Sequence, residues 1–243
     1  VAKPFDAVLK RMLDAYAPAW VGWLAPRLGL PPGPVEPIDA DLSTVQPAAD
    51  KVFRLRTADG ASAGLLHLEA QSSWDGGLPR RMLVYNVLLD DRHEEPVRSV
   101  ALLLRREADS PALTGVLTRT RFAGREHLRF EYEVVRVWEL PADALLAAGP
   151  WAGPLALLTD DAGPRLPALV RQFAARVEAE VPAEGDRALL LSSALILLGL
   201  RYDKADAARL FQGVQKMRES STYQMILDEG RQEGRQEGRQ EGR

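Results

Sequence analysis

Apolar residues open the chain at helical spacing: Phe5, Val8, Leu9, Met12, Leu13 and Tyr16 recur three and four positions apart. That repeat lines one face of an α-helix, and Pro4 suits a first turn, so the pattern predicts a helix over 4–16. Trp20 and Trp23 carry the stripe on to a breaker stretch holding Pro26, Pro31, Pro32, Gly33, Pro34 and Pro37. The period then shortens. Strands are expected at 35–42, 51–57 and 62–71, a helix at 79–92 with Met82, Leu83, Val87 and Leu88 on its apolar face, and a strand at 97–105. Asp59-Gly60, between the second and third strands, is a hairpin dipeptide. A longer hairpin, 113–122 with 126–138, is expected to turn at Ala123-Gly124; in its second arm Phe130, Tyr132 and Val134 alternate with Glu131 and Glu133. From about Pro141 the pattern becomes helical, with helices expected at 166–181, 187–200 and 203–218. This order predicts an α/β or α+β sheet domain followed by a helical region.

The strand at 62–71 carries a polar set inside a buried pattern. Leu66 and Leu68 would share one face, and Leu65, His67, Glu69 and Gln71 the other, because side chains alternate along a strand. Glu69 stands where an apolar residue is expected. Asp50 precedes the neighbouring strand, and the hairpin at Asp59-Gly60 would bring both acids to one end of a sheet. Two carboxylates there form a candidate divalent-cation site, with Gln71 as a third polar group, a set suited to metal-assisted phosphodiester hydrolysis. The alternative is an acid at a strand start and a glutamate on a solvated face.

Lys51 should point away from Asp50, and Asp39 and Asp41 read as turn residues or as a further carboxylate source. Asp6 and Lys10 lie one helical turn apart and read as a simple i,i+4 pair. His67 reads as a packed or hydrogen-bonded histidine, or as a ligand; His93 and His127 have no metal-ligand spacing to a partner. Arg80 and Arg81 lead into the helix at 79–92, with Tyr85 one turn beyond Arg81. Flat guanidinium forks suit phosphate, so Arg81 and Tyr85 are candidate contacts to a DNA backbone; a solvated helical face is the alternative.

Composition narrows the choices. Of 243 residues 46% are hydrophobic and 27% charged, which marks a globular chain rather than a disordered one. Cysteine is absent, so disulfides, thiolate metal sites and a cysteine nucleophile are excluded, in keeping with a reducing cytoplasm. No signal-peptide pattern opens the sequence, and the longest apolar run, 188–200, is too short to cross a bilayer. No membrane association is expected. The net charge of −3 lacks the basic excess of a dedicated duplex binder, and the 11 arginines against 9 acids between 79 and 136 leave only a small local surplus. No phosphate-binding GxxxxGK[ST] loop, HExxH helix or GxSxG elbow occurs.

The chain ends in a repeat of Arg-Gln-Glu-Gly over 231–243. Opposite charges fall two apart rather than four, and each glycine costs about 1 kcal/mol of helix relative to alanine. The repeat reads as a frayed, solvated tail or as a small-residue seam for a partner helix.

The segments KPFDAVLKRML, ADKVFRLR, LLHLEAQSSWD and LPRRMLVYNVLL, with the glycine-rich charged tail, resemble the recombination-promoting nuclease and putative transposase family of the PD-(D/E)XK superfamily. The resemblance covers the N-terminal half well and the helical half loosely. It implies a restriction-endonuclease-like core at 1–140, a mixed central sheet flanked by helices, followed by a helical region at 141–219 and the repeat tail at 220–243. It also implies that Asp50 and Glu69 bind magnesium, with manganese as a substitute, and that Gln71 holds the third motif position. The superfamily usually has lysine there; glutamine can hydrogen-bond a water or a phosphate oxygen but adds no positive charge. The activity implied is magnesium-dependent endonucleolytic hydrolysis of DNA in a bacterial cytoplasm. The alternative is a catalytically decayed relative that binds DNA or self-associates through its C-terminal helices.

Overall fold

A computed structural model of the chain describes residues 4–29, 33–37, 51–120 and 126–211. The chain forms two compact units, one of Val1–Ala19 with Val137–Arg243, the other of Trp20–Arg136. Helix α1 is Pro4–Ala15 and helix α2 is Ala17–Leu28, and the boundary between the units falls within α2.

The second unit is built on a mixed sheet. Its elements in chain order are β1 (Val35–Pro37), β2 (Lys51–Arg56), β3 (Ser62–Gln71), α3 (Leu78–His93), β4 (Val97–Leu103), β5 (Val116–Thr120), β6 (Glu126–Glu131) and β7 (Glu133–Arg136). Five strands form one sheet in the order β1-β2-β3-β4-β7, and β5 and β6 pair separately. β1, β2 and β3 run antiparallel to their neighbours in that series, whereas β3–β4 and β4–β7 are parallel. The turn at Asp59-Gly60 forms as its dipeptide suggests: the Thr57 amide donates to Ala61 O at 2.9 Å, the Gly60 amide to Thr57 O at 2.9 Å, and Gly60 takes φ +87°. Gly64 serves a different purpose. Its φ is +119°, and a Cβ there would sit 2.6 Å from the Pro96 carbonyl oxygen, which accepts the Leu65 amide at 2.7 Å. Glycine thus lets the chain leading into β4 close onto β3.

The long hairpin expected at 113–138 divides. β5 and β6 pair antiparallel, but the Tyr132 amide bonds to Gly115 O at 2.9 Å and the chain then leaves the ribbon. Glu133–Arg136 joins the main sheet instead, setting Val135 beside Leu102. Burial of Val135 against the apolar Val100–Leu103 stretch of β4 wins over extension of an exposed ribbon. The turn expected at 123–124 lies outside the described residues.

Helix α3 also turns a different face inward from the one the sequence suggested. Leu78, Met82, Tyr85 and Leu89 are buried, and Val87 is exposed. Spacings of four, three and four keep these residues on one stripe, with Tyr85 as its central ring. Tyr85 and Leu89 pack with Val52 of β2 and Leu65 of β3, flanked by Leu88 and Val97. One face of β3 therefore lies beneath α3.

The first unit is helical, with α4 (Ala142–Ala148), α5 (Gly153–Ala156), α6 (Leu166–Glu180), α7 (Glu184–Leu198) and α8 (Lys204–Leu210) joining α1. α7 packs against α1, α5 and α6, and residues around most of its circumference are buried, which explains its weak amphipathic pattern. The short helices α4 and α5 were not anticipated. The later part of the helix expected at 203–218, and the repeat tail, lie outside the described residues. No helix among the described residues is long and apolar enough to cross a membrane.

Candidate functional site

β3 carries its polar residues under α3. His67 is fully buried and Glu69 is 3% exposed. Nε2 of His67 lies 3.2 Å from Oε1 of Glu69. Nδ1 of His67 lies 3.1 Å from Oγ of Ser99 on β4, and the two residues are direct partners in the parallel register. Asn86, on α3, donates through Nδ2 to Ser99 Oγ at 3.1 Å and to the Val97 carbonyl at 3.0 Å.

With Glu69 ionised and His67 neutral, one direction follows for every donor. The Val97 carbonyl only accepts, so the nitrogen of the Asn86 amide faces it. An ionised Glu69 only accepts, so the imidazole donates from Nε2. Nδ1 then accepts from the Ser99 hydroxyl, and Ser99 Oγ accepts from Asn86. The chain of donors runs Asn86 to Ser99 to His67 to Glu69 without a conflict. The ring of Tyr85 meets His67 edge-on, with centroids 5.5 Å apart and planes at 74°.

The far oxygen of Glu69 faces a cation. Nε and Nη2 of Arg81 each lie 3.4 Å from Glu69 Oε2, and Nη1 of the same guanidinium pairs with Asp75. Burial alone would lower the Arg81 pKa, but the facing carboxylates of Glu69 and Asp75 outweigh it and hold the guanidinium above its ordinary value. Removing a carboxylate from water costs several kcal/mol, on the order of the gain from a well-formed pair. Glu69 faces donors on two sides, His67 and Arg81.

The loop that links β3 to α3 is tied at both ends. The Leu104 amide donates to Gln71 O at 2.9 Å, and Arg105 Nε donates to Ser72 O. Asp75 Oδ1 accepts the Gly77 amide at 2.8 Å, and Asp75 O accepts the Leu78 amide at 3.2 Å.

Of the residues singled out from sequence, Glu69 and Arg81 meet. Gln71, half-buried, ends β3 two positions beyond Glu69. Tyr85, expected at a DNA backbone, is 1% exposed and backs His67. Asp50, Asp39 and Asp41 lie outside the described residues. Lys51, next in sequence to Asp50, pairs in register with Leu68. His127 is exposed on β6, and His93 ends α3 with Nδ1 3.3 Å from Arg54 Nη2. Among the described residues, no group of three or more histidines and acids is arranged to hold a metal ion.

Sequence reasoning passed over Ser99, Asn86 and Asp75. Ser99 had a signal: it is the one polar residue in the run Val97–Leu103 apart from Arg98, and a serine inside a buried strand needs a partner. Asn86 and Asp75 had none beyond their polarity. No protein-family model, no curated protein and no solved structure matches the chain.

Proposed function

We propose that this chain is a magnesium-dependent DNA endonuclease with a restriction-endonuclease-like core, of the recombination-promoting class. One observation carries the reading: Glu69 is a carboxylate 3% exposed on the interior face of a central strand, in contact with His67 and Arg81. An apolar residue would serve the fold there at less cost.

The donor set suits a hard cation. Arg81 holds Glu69 through contacts at the long end of hydrogen-bonding distance and keeps Asp75 as a second partner. Glu69 can therefore exchange the guanidinium for magnesium without stranding it. Glu69 and Asp50 are the proposed ligands. Bound magnesium or manganese would supply a Lewis acid for the phosphate and a water of lowered pKa. His67, fixed by Ser99, aims the Glu69 carboxylate. Gln71, on the same strand face by alternation, donates a hydrogen bond to the attacking water or a phosphate oxygen. Arg81, once turned from Glu69, offers its flat fork to a phosphate, and Tyr85 supports His67 from behind. A cytoplasmic setting and self-association through the C-terminal helices belong to the same reading.

Nicking of supercoiled plasmid tests it. Glu69→Gln should abolish magnesium-dependent nicking while circular dichroism stays that of the parent; undiminished nicking would exclude the assignment. A second reading is favoured by Gln71 in the lysine position and by the Glu69–Arg81 pair: a decayed nuclease fold that binds DNA without cutting it. A magnesium titration with labelled DNA separates them, since the binder shifts mobility and leaves the strands intact.

A further inference from the structure

The loop between β3 and α3 presents an exposed aromatic ring beside this site. Trp74 is 44% exposed, and the only other large apolar side chain so exposed among the described residues is Val87. The ring lies over Gly76, its Cζ2 3.6 Å from where a Cβ would stand. The loop is not slack: Gln71 and Ser72 are tied to Leu104 and Arg105 on one side, and Asp75 to Gly77, Leu78 and Arg81 on the other. A ring held this way loses little freedom when something stacks on it.

Arg80 adds a cation. It is exposed on the first turn of α3, and it makes no hydrogen bond or ion pair among the described residues. Its neighbour Arg81 is already committed to Glu69 and Asp75. The junction thus offers one exposed aromatic ring and one exposed permanent charge, on the residues next to the paired Asp75 and Arg81.

We propose that Trp74 and Arg80 form a recognition rim for an unpaired nucleobase and its phosphate, so that the substrate is single-stranded or locally opened DNA. The proposal rests on Glu69 marking the catalytic site. An exposed aromatic face and an exposed guanidinium, carried by the neighbours of the Asp75–Arg81 pair, match a base and its backbone charge. Bases inside a duplex are stacked on each other and cannot reach such a ring. A net charge of −3 gives little general attraction to duplex phosphates, which leaves stacking to supply the affinity. A protein-docking role fits less well, because the ring's sequence neighbours Ser73, Asp75, Gly76 and Gly77 are polar or small and add no apolar side chain of their own.

Fluorescence anisotropy of the full chain in chelator, without metal, tests binding apart from cleavage. The probes are a labelled 12-nucleotide thymidylate strand, the same length of duplex, and an abasic strand of equal charge. The thymidylate strand should bind about tenfold or more tightly than either control. Trp74→Ala should weaken that binding about 5- to 100-fold, the range expected for one lost base–aromatic stack. Trp74→Phe should restore most of it. Arg80→Gln should weaken binding and reduce the salt slope by about one counterion. Equal binding of the abasic strand, preference for duplex, or a Trp74→Ala variant that binds like the parent each overturns the rim. So does indifference of the parent to every probe while Trp74→Ala changes the mass by light scattering, which would make the ring a protein contact. If the thymidylate preference depends on Trp74 but the parent never nicks DNA with magnesium, the hydrolytic reading falls and the rim stands. If Glu69→Gln abolishes nicking while Trp74 proves inert to all probes, the rim falls and the hydrolytic reading stands.

Discussion

Nε2 of His67 lies 3.2 Å from Oε1 of Glu69, and the two residues occupy alternate positions on one face of β3. A strand normally aims such neighbours at a shared apolar layer. Here they form the middle of a buried polar track that ends on the ion pair of Arg81 with Asp75. Each member limits what its neighbour can do, so substitutions along the track should couple.

Arg81→Ala should destabilise the fold by about 2–4 kcal/mol. The usual penalty for stripping one partner from a buried pair is about 3–5 kcal/mol, and the Arg81 side chain is 26% exposed, which lets water soften the loss. Combining it with Glu69→Gln removes the stranded charge and should recover more than about 1 kcal/mol. Urea unfolding of the parent, both single variants and the double variant closes the cycle. Strict additivity would show that the 3.4 Å contacts carry no energy.

Ser99→Ala should leave Nδ1 of His67 without its donor at a fully buried site. A lost buried hydrogen bond of this kind costs about 1–3 kcal/mol. Nitrogen NMR of the imidazole distinguishes the donor order: the proton should reside on Nε2 in the parent. A proton found on Nδ1 would reverse the chain of bonds and remove the argument that His67 orients Glu69.

The β2 and β3 spans, the turn between them and the burial of Glu69 beside His67 are legible in the sequence, because alternation and Asp59-Gly60 act locally. What escaped was set by contacts distant in sequence. β7 leaves its hairpin because β4 offers an apolar edge, and no local signal marks that choice. α3 turns Tyr85 inward because His67 and Leu65 lie beneath it, although Val87 is as apolar by sequence alone. Ser99 matters only because the parallel register sets it against His67. At the site, the sequence offers Arg81 as a phosphate contact, whereas its geometry first serves Glu69.

Gly60 and Gly64 separate two costs of adding a methyl group. Both take positive φ, but nothing lies within 4 Å of a Cβ at Gly60, whereas at Gly64 it would meet the Pro96 carbonyl oxygen at 2.6 Å. Gly60→Ala should therefore cost about 1 kcal/mol, from backbone strain alone. Gly64→Ala should cost about 2–4 kcal/mol, because the backbone leading into β4 must also retreat. Thermal melts that rank the two variants equally would mean that Pro96 yields without loss.

Tyr16, at the end of α1, gives the helical unit an alkaline limit. Its hydroxyl is buried without a hydrogen-bond partner among the described residues. Burial first, then the charge of Asp186, pushes its pKa up to about 12. The fold thus favours the protonated phenol over an unfolded value of about 10. The corresponding stability is complete below about pH 10 and is lost as the pH climbs towards 12. A rise from about 10 to about 12 sets a ceiling of about 2.7 kcal/mol, and the partial exposure of the ring lowers the expected loss to about 1–2 kcal/mol. Tyr16→Phe should remove that part of the decline. Urea midpoints at about pH 9 and 11.5 compare the two; parallel declines would exclude Tyr16 as the group responsible.

Magnesium should stabilise the folded chain through Glu69, because a ligand that binds only the native state shifts unfolding by mass action. With a dissociation constant on the order of 1 mM, about 10 mM magnesium adds roughly 1.4 kcal/mol. For a chain of this length that is a rise of about 3–6 °C in midpoint. Glu69→Gln should abolish the rise. Arg81→Gln should enlarge it, measured against its own metal-free midpoint, because the guanidinium no longer competes for Oε2 of Glu69. Manganese should act in the same way as magnesium, and chelator should reverse both effects. An equal rise in the parent and in Glu69→Gln would place the ion elsewhere on the chain, and with it would go the case for hydrolysis at β3.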